Sequence, residues 1–307
     1  MIEVRNLSKR FGSTTAVDGL SFDVLPGRVT GFLGPNGSGK STTMRMILGL
    51  DRPSGGSARI NGRDYAHIRR PLFDVGALLD AKAMHGGRSA YNHLLCVAQS
   101  NGIPRRRVGE VLDTVGLSAT GKKRARTLSL GMGQRLGIAT ALLGDPAVLL
   151  FDEPVNGLDP EGILWIRTLL RALAAEGRTI FVSSHLMSEM ALTADHLVVI
   201  GRGRLIADTS TAELVAGSSQ GYVHVLTPSA GAFAPVLTAL GAVVTETPEG
   251  LRITGLECAR VGELAAQHGI VLHELSPRHA SLEAAFMELT KDSVDYRTNE
   301  PLEAGAL

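Results

Sequence analysis

The sequence predicts an α/β domain carrying a helical insertion, followed by a small α+β domain. Three observations predict this. The run at 146–151 is nearly all apolar, as a strand of a sheet covered on both faces must be, and 178–183 and 196–200 read as two further such strands. A glycine-rich loop at 34–41, Gly-Pro-Asn-Gly-Ser-Gly-Lys-Ser, stands between one more apolar run and a helical pattern. Beyond residue 221 the periodicity changes, and segments follow in the order β-α-β-β-α-β, the ferredoxin-like arrangement.

Taken in order, residues 1–5 lack an apolar targeting segment. Residues 29–33 read as a short buried strand, and 41–48 as the helix after the glycine-rich loop. Helical periodicity recurs at 91–98 and 108–112, which places a helical insertion at about 81–135. Together with the three apolar strands this makes a first domain of residues 1–217, and 217–221 is the expected linker. In the second domain, 222–290, strands are expected at 222–226, 243–246, 251–254 and 270–275. Helices are expected at 233–240, 258–267 and 282–289. Residues 291–307 have no apolar periodicity and are expected to form a mobile tail.

Composition narrows the function classes. The chain has 307 residues, enough for two cores, and a net charge of +1, so no bulk attraction to nucleic acid or anionic lipid is expected. Cys96 and Cys258 lie far apart without metal or redox spacing, which suits a reducing cytosol. The longest apolar stretch, 136–151, is broken by Asp145 and Pro146 and is too short to span a bilayer. Any membrane connection is therefore expected through a partner. Arginine far outnumbers lysine, in keeping with a GC-rich bacterial genome.

The glycine-rich loop has the form G-x-x-x-x-G-K-[ST], whose backbone N–H groups wrap the phosphates of a nucleoside triphosphate. The helix behind it would aim its positive end at those phosphates. The binding set is Gly34, Pro35, Asn36, Gly37, Ser38, Gly39, Lys40, Ser41 and Thr42. Lys40 would reach the β/γ-phosphates, and the Ser41 hydroxyl would ligate Mg²⁺. A glycine-rich surface turn would not explain a Lys-Ser pair at a strand–helix junction. The strand at 148–151 ends in Asp152 and Glu153, and two adjacent acids at a buried edge call for a cation or a reaction. Asp152 would hold Mg²⁺ through water, and Glu153 would polarise the attacking water. Ser129 caps a helical pattern that runs on through Gly131, Gln134 and Arg135. Asp159 follows in a Gly-Leu-Asp-Pro turn, and His185 in Ser183-Ser184-His185.

This succession of five motifs resembles the nucleotide-binding subunit of ABC transporters over about residues 2–215. The resemblance implies ATP as the nucleotide and a homodimer that sandwiches two ATP molecules. Phe11 resembles the aromatic that stacks on adenine. Ser129 and Gly131 resemble the signature that contacts the γ-phosphate held by the opposite subunit. Asp159 resembles the acid joining the two subunits, and His185 the switch histidine that senses the γ-phosphate. Two positions depart from the family. The signature Leu-Ser-Gly-Gly-Gln is Leu-Ser-Leu-Gly-Met at 128–132, and Asp80 stands where the family carries a glutamine. Asp80 can still meet Mg²⁺ through water, but it is shorter and charged.

With the small C-terminal domain, these departures resemble drug-exporter ATPases of the daunorubicin-resistance type, which work with a separate ABC-2 membrane permease. An ATPase on the cytoplasmic face of the membrane, powering export of drug-like or hydrophobic cargo, is what this implies. The alternative is a soluble ABC ATPase acting on ribosomes or DNA, but the chain has neither a second ATPase domain nor a long coiled coil. A small-molecule kinase would leave the signature and the switch histidine unexplained. The runs Arg105-Arg106-Arg107 and Lys122-Lys123-Arg124 read as solvated faces.

Overall fold

The computed structural model describes residues 1–81, 83–216, 221–278 and 281–290. The chain divides into two units, Met1–Asp208 and Thr209–Leu289. The linker expected at 217–221 falls outside the described residues except for Gly221, and the tail expected at 291–307 falls wholly outside them.

The first unit begins with a hairpin, β1 (Ile2–Phe11) and β2 (Thr14–Val24), paired antiparallel across a two-residue turn. Next come β3 (Val29–Leu33), buried at every position, and α1 (Lys40–Ile47). β4 (Gly55–Ile60) joins the other side of β1, giving a three-stranded antiparallel sheet in the order β2-β1-β4. After the short α2 (Pro71–Asp74) and β5 (Val75–Leu78), the helical stretch contains α3 (Ala90–Ser100), α4 (Arg106–Thr114) and α5 (Leu130–Leu142). The chain then alternates through β6 (Val148–Asp152), α6 (Pro160–Ala175), β7 (Thr179–Ser184) and α7 (Met187–Thr193). It closes with β8 (His196–Gly201) and β9 (Arg204–Ser210). The larger sheet has the order β5-β6-β7-β3-β8-β9, and its first five strands run parallel.

Parallel strands of this kind need apolar side chains on both faces, and β3, β6 and β7 supply them. The rings of Phe22, Phe32 and Phe181 lie with centroids 5.0–5.7 Å apart and fasten the antiparallel sheet to the parallel one. Because β3, β6 and β7 are parallel and adjacent, their C-terminal ends share one edge. The segments that follow them, at 34–39, 153–159 and 185–186, are thereby brought together, the usual place for a ligand on such a sheet.

The second unit holds α8 (Thr211–Ala216), β10 (Tyr222–Leu226), α9 (Ala230–Ala239), β11 (Val243–Thr247) and β12 (Gly250–Thr254). α10 (Cys258–Gln267), β13 (Glu274–Arg278) and α11 (Leu282–Thr290) complete the described chain. Its sheet is antiparallel throughout, in the order β11-β12-β10-β13. Val223, Val225, Leu251 and Ile253 point to one face and bury themselves against Phe233, Leu237, Val261 and Leu264 of the two helices.

The last strand corrects the sequence-based expectation of 270–275: it is Glu274–Arg278. Ile270 and Leu272 are apolar because they pack on the core before the strand begins. The strand itself is a polar edge, which is why it tolerates Pro277. No helix among the described residues is long and apolar enough to cross a membrane.

Candidate functional site

The glycine-rich loop is wedged into its place by its glycines. A Cβ on Gly34 would lie 2.5 Å from the Ile200 carbonyl oxygen and from Ser38 Oγ. Gly39 has φ +104°, and a Cβ there would lie 2.5 Å from the Ala16 carbonyl oxygen. Only glycine allows both this left-handed backbone and the close approach to β2. The loop is held from behind by the corner between β8 and β9. The N–H of Gly203 donates to the Ser38 carbonyl at 3.0 Å, and the N–H of Ser38 to that of Pro35 at 3.1 Å. Arg202 and Gly203 both have positive φ, the two-residue turn that suits hairpin twist.

Lys40 opens α1 with its side chain buried, and Nζ donates to the carbonyls of Gly34 at 2.6 Å and Pro35 at 3.2 Å. Burial lowers its pKa, while Glu153 and Asp152 pull the other way. Both acids are therefore within electrostatic reach of the ammonium. Asn36 and Gly37 are exposed on the rim, Pro35 is half-buried, and Ser41 and Thr42 stand in the first turn of α1 with Ser41 exposed. The N–H groups of that first turn have no partner within the helix, so this end of α1 can receive an anion.

At the end of β6 the two acids are tied to the next strand by one hydroxyl. Ser183, fully buried on β7, donates to an Asp152 carboxylate oxygen and accepts the Glu153 N–H at 2.9 Å. Glu153 has φ +50°, an uncommon conformation for a residue with a side chain. Its Oε2 lies 2.8 Å from Nδ1 of His185, just past the end of β7. A carboxylate only accepts, so this contact puts the ring hydrogen on Nδ1. Gln134, from α5, donates Nε2–H to the Glu153 carbonyl at 3.2 Å and the Asn156 carbonyl at 3.4 Å. Ser183 and Gln134 stand inside motifs legible in the sequence, but their roles are not. The signal available was their position, since Ser183 stands two residues before His185 and Gln134 inside the capped-helix motif.

The structure thus gathers the loop, Lys40, Asp152, Glu153 and His185 at one sheet edge. Asp80 lies at the same edge, two residues past β5, whose Leu78 pairs in register with Phe151. Phe11 is 51% exposed at the end of the hairpin, with Lys9 Nζ 4.9 Å above its ring. The same hairpin brings Ala16 against Gly39, so the exposed ring stands on the element that borders the loop. Ser129 caps α5 by accepting the Met132 N–H at 3.2 Å, and Asp159 caps α6 by accepting the Gly162 N–H at 2.9 Å. A Cβ on Gly131 would come within 3.2 Å of Leu158, so this glycine's smallness is already used inside the chain.

No group of three or more His, Cys, Asp or Glu suited to a metal occurs among the described residues. A divalent cation here would have the Ser41 hydroxyl and the Asp152 carboxylate as protein donors, with phosphate oxygens and water as the rest. Such a sparse all-oxygen donor set fits Mg²⁺, which keeps several waters and binds through one or two protein groups plus substrate phosphates.

The family described as ABC transporter matches residues 17–156, and a domain of unknown function matches residues 221–283. The chain is 36% identical to an uncharacterised ABC transporter ATP-binding protein of Bacillus subtilis, over 95% of this chain and 97% of that one. It is 31% identical to the daunorubicin/doxorubicin resistance ATP-binding protein of Streptomyces peucetius, over 97% of this chain and 95% of that one. Among solved structures it resembles an ATP-binding subunit of an ABC transporter, with a TM-score of 0.64 and 26% identity over 70% of this chain and 92% of that one.

Proposed function

The chain belongs to the ABC transporter ATP-binding proteins, and on that premise we propose that Glu153 is the general base by which it hydrolyses ATP to power export of drug-like or hydrophobic cargo. Its fold is that of an ATP-binding cassette, and it acts as the ATP-binding, ATP-hydrolysing subunit of a transporter. One observation carries the assignment of Glu153: its carboxylate is held 2.8 Å from His185 at the edge that also presents Lys40 and the phosphate loop.

In the reaction, the loop amides and Lys40 neutralise the phosphate charge that shifts as the γ-phosphoryl group departs. Glu153 accepts the proton of the attacking water, and His185 fixes the carboxylate's orientation through Nδ1–H. Mg²⁺, held by Ser41 and by Asp152 through water, would supply further neutralisation of the phosphates. Asp80 would meet the same hydration shell. Phe11 stacks on the adenine, while Ser129 and Gly131 of a second copy close over the γ-phosphate and Asp159 helps to join the two copies.

Two copies sandwiching two ATP molecules, bound to a separate ABC-2-type membrane permease at the cytoplasmic face, complete the reading. The resistance protein of Streptomyces peucetius, similar over nearly the whole chain, supports export over action on ribosomes or DNA. Residues 1–217 would form the ATPase domain and 222–290 an accessory or regulatory one.

Glu153→Gln tests the assignment. The amide keeps the shape but cannot accept the proton, so turnover should fall about 10²–10⁴-fold with ATP binding retained. ATP should then hold two copies together long enough to elute as a dimer from gel filtration. Near-normal hydrolysis by this variant would remove Glu153 from the mechanism.

A further inference from the structure

We infer that Gln134 is a positioning residue for Glu153, tying the first turns of α5 directly to the carboxylate that activates water in the same chain. The inference rests on Glu153 acting as the base. Gln134 is 5% exposed, and its carboxamide faces two backbone carbonyls, those of Glu153 and Asn156. The opposite amide orientation would set an oxygen against both, so the NH₂ end must face them. Gln134 Oε1 is buried without a hydrogen-bond partner among the described residues, which leaves the two carbonyls as the contacts that decide the side chain's orientation.

Glu153 needs such support. Its left-handed backbone is unfavourable for a residue with a Cβ and persists only where the surroundings over-determine it. Ser183 takes its N–H and Gln134 takes its carbonyl, so the peptide groups on both sides are held. The clamp on the N–H side comes from β7, inside the parallel sheet, whereas the clamp on the carbonyl side comes from α5, in the helical stretch.

The start of α5 is seated on the same segment by packing as well. A Cβ on Gly157 would come within 2.0 Å of Leu130, and one on Gly131 within 3.2 Å of Leu158. The first two turns of α5 and residues 153–158 therefore form one close-packed piece. A shift of α5, whose capped end carries Ser129 and Gly131, is passed to the Glu153 backbone through a direct hydrogen bond. A nucleotide engaged by Ser129 and Gly131 on a second copy would thus be felt at the carboxylate of this chain's own site.

Gln134→Met keeps the length and removes both donors. Steady-state hydrolysis should show kcat lowered roughly 10- to 100-fold, the scale of loss that small misplacement of a reacting group brings. The Kd for ATP should stay close to that of the unaltered protein, and the two lost hydrogen bonds should lower the melting temperature by roughly 4–8 °C. The decisive comparison is in the Glu153→Gln background, read by single-turnover hydrolysis. If Gln134 acts through the Glu153 carboxylate, adding Gln134→Met there should change the rate by less than about twofold.

An unchanged kcat in the single variant would overturn the inference. So would parallel loss of ATP affinity, or the same factor lost again in the Glu153→Gln background. Should Gln134→Met fail to fold, Gln134→Asn, one methylene too short to reach either carbonyl, is judged by the same outcomes. Near-normal hydrolysis by Glu153→Gln alone would overturn the general-base reading and this inference with it. A crippled Glu153→Gln beside an unaffected Gln134→Met would overturn the inference alone.

Discussion

Ser183→Ala should separate the structural load on the acid edge from its chemistry. Ser183 is fully buried and makes two contacts through one oxygen, donating to the Asp152 carboxylate and accepting the Glu153 N–H. A hydrogen bond to a charged group contributes about 1.5–3 kcal/mol and a neutral one about 1 kcal/mol. Asp152 is only partly buried and water can replace part of what it loses, so the lower half of the combined range applies, about 2.5–3 kcal/mol. For a unit of this size that lowers the melting temperature by roughly 5–12 °C.

Calorimetry of the full chain provides the assay, and the transition to follow is the one that ATP raises, since a ligand stabilises only the unit that binds it. Ser184→Ala is the control. The Ser184 hydroxyl accepts the Leu186 N–H, at 3.0 Å, and its loss should cost about 1 kcal/mol. Because the two hydrogen bonds of the Ser183 hydroxyl go to Asp152 and Glu153 and not to the loop, ATP affinity should survive while kcat falls with the loosened Glu153 backbone. Equal shifts for the two serine variants, or a Ser183→Ala shift below about 2 °C, would refute the bridging role.

Gly39→Ala should lower ATP affinity by about 10-fold or more in a fluorescent-nucleotide titration, because the left-handed backbone and the 2.5 Å approach to the Ala16 carbonyl leave no room for a Cβ; unchanged affinity would show that the loop can re-form around a methyl group. Residues 221–290, expressed by themselves, should fold around their own apolar core and lose stability in acid. The Ser276 hydroxyl, and then His224, hold the Glu274 carboxyl below its usual value of 4.5. A depressed carboxylate stabilises the fold above its unfolded-state value and ceases to do so as pH falls through the native one, so the loss belongs below 4.5. Melting curves of Glu274→Gln should show a shallower acid limb, and coincident limbs would refute the contribution.

What the sequence made legible followed from strong local constraint. The strand at 29–33 and the helix at 258–267 coincide with β3 and α10, since one is a short run that Val29, Phe32 and Leu33 bury at both ends and the other has a clear helical period. The phosphate loop was readable because its glycines and its Lys-Ser pair have few other uses. The first sheet was not readable. β1 buries Ile2, Val4 and Leu7, and register shifts between Val4 and Leu7 and again up to Arg10 break the alternation that would have announced a strand. The roles of Ser183 and Gln134 were hidden for a different reason. Each depends on a backbone group remote in sequence, the Glu153 N–H and carbonyl, and side-chain patterns do not report where backbone groups end up.

The corner at Arg202 and Gly203 makes the nucleotide seat sensitive to a place where chains usually tolerate changes of length. Surface turns ordinarily absorb inserted residues cheaply. Here the Gly203 N–H holds the Ser38 carbonyl, its own carbonyl receives the Asp18 N–H at 2.8 Å, and a Cβ would come within 2.8 Å of the Ala16 carbonyl. One extra residue would rotate those groups away from both β2 and the loop. Insertions and deletions at this corner should therefore be as poorly tolerated as changes in the glycine-rich loop itself, although nothing in its composition marks it as part of a binding site.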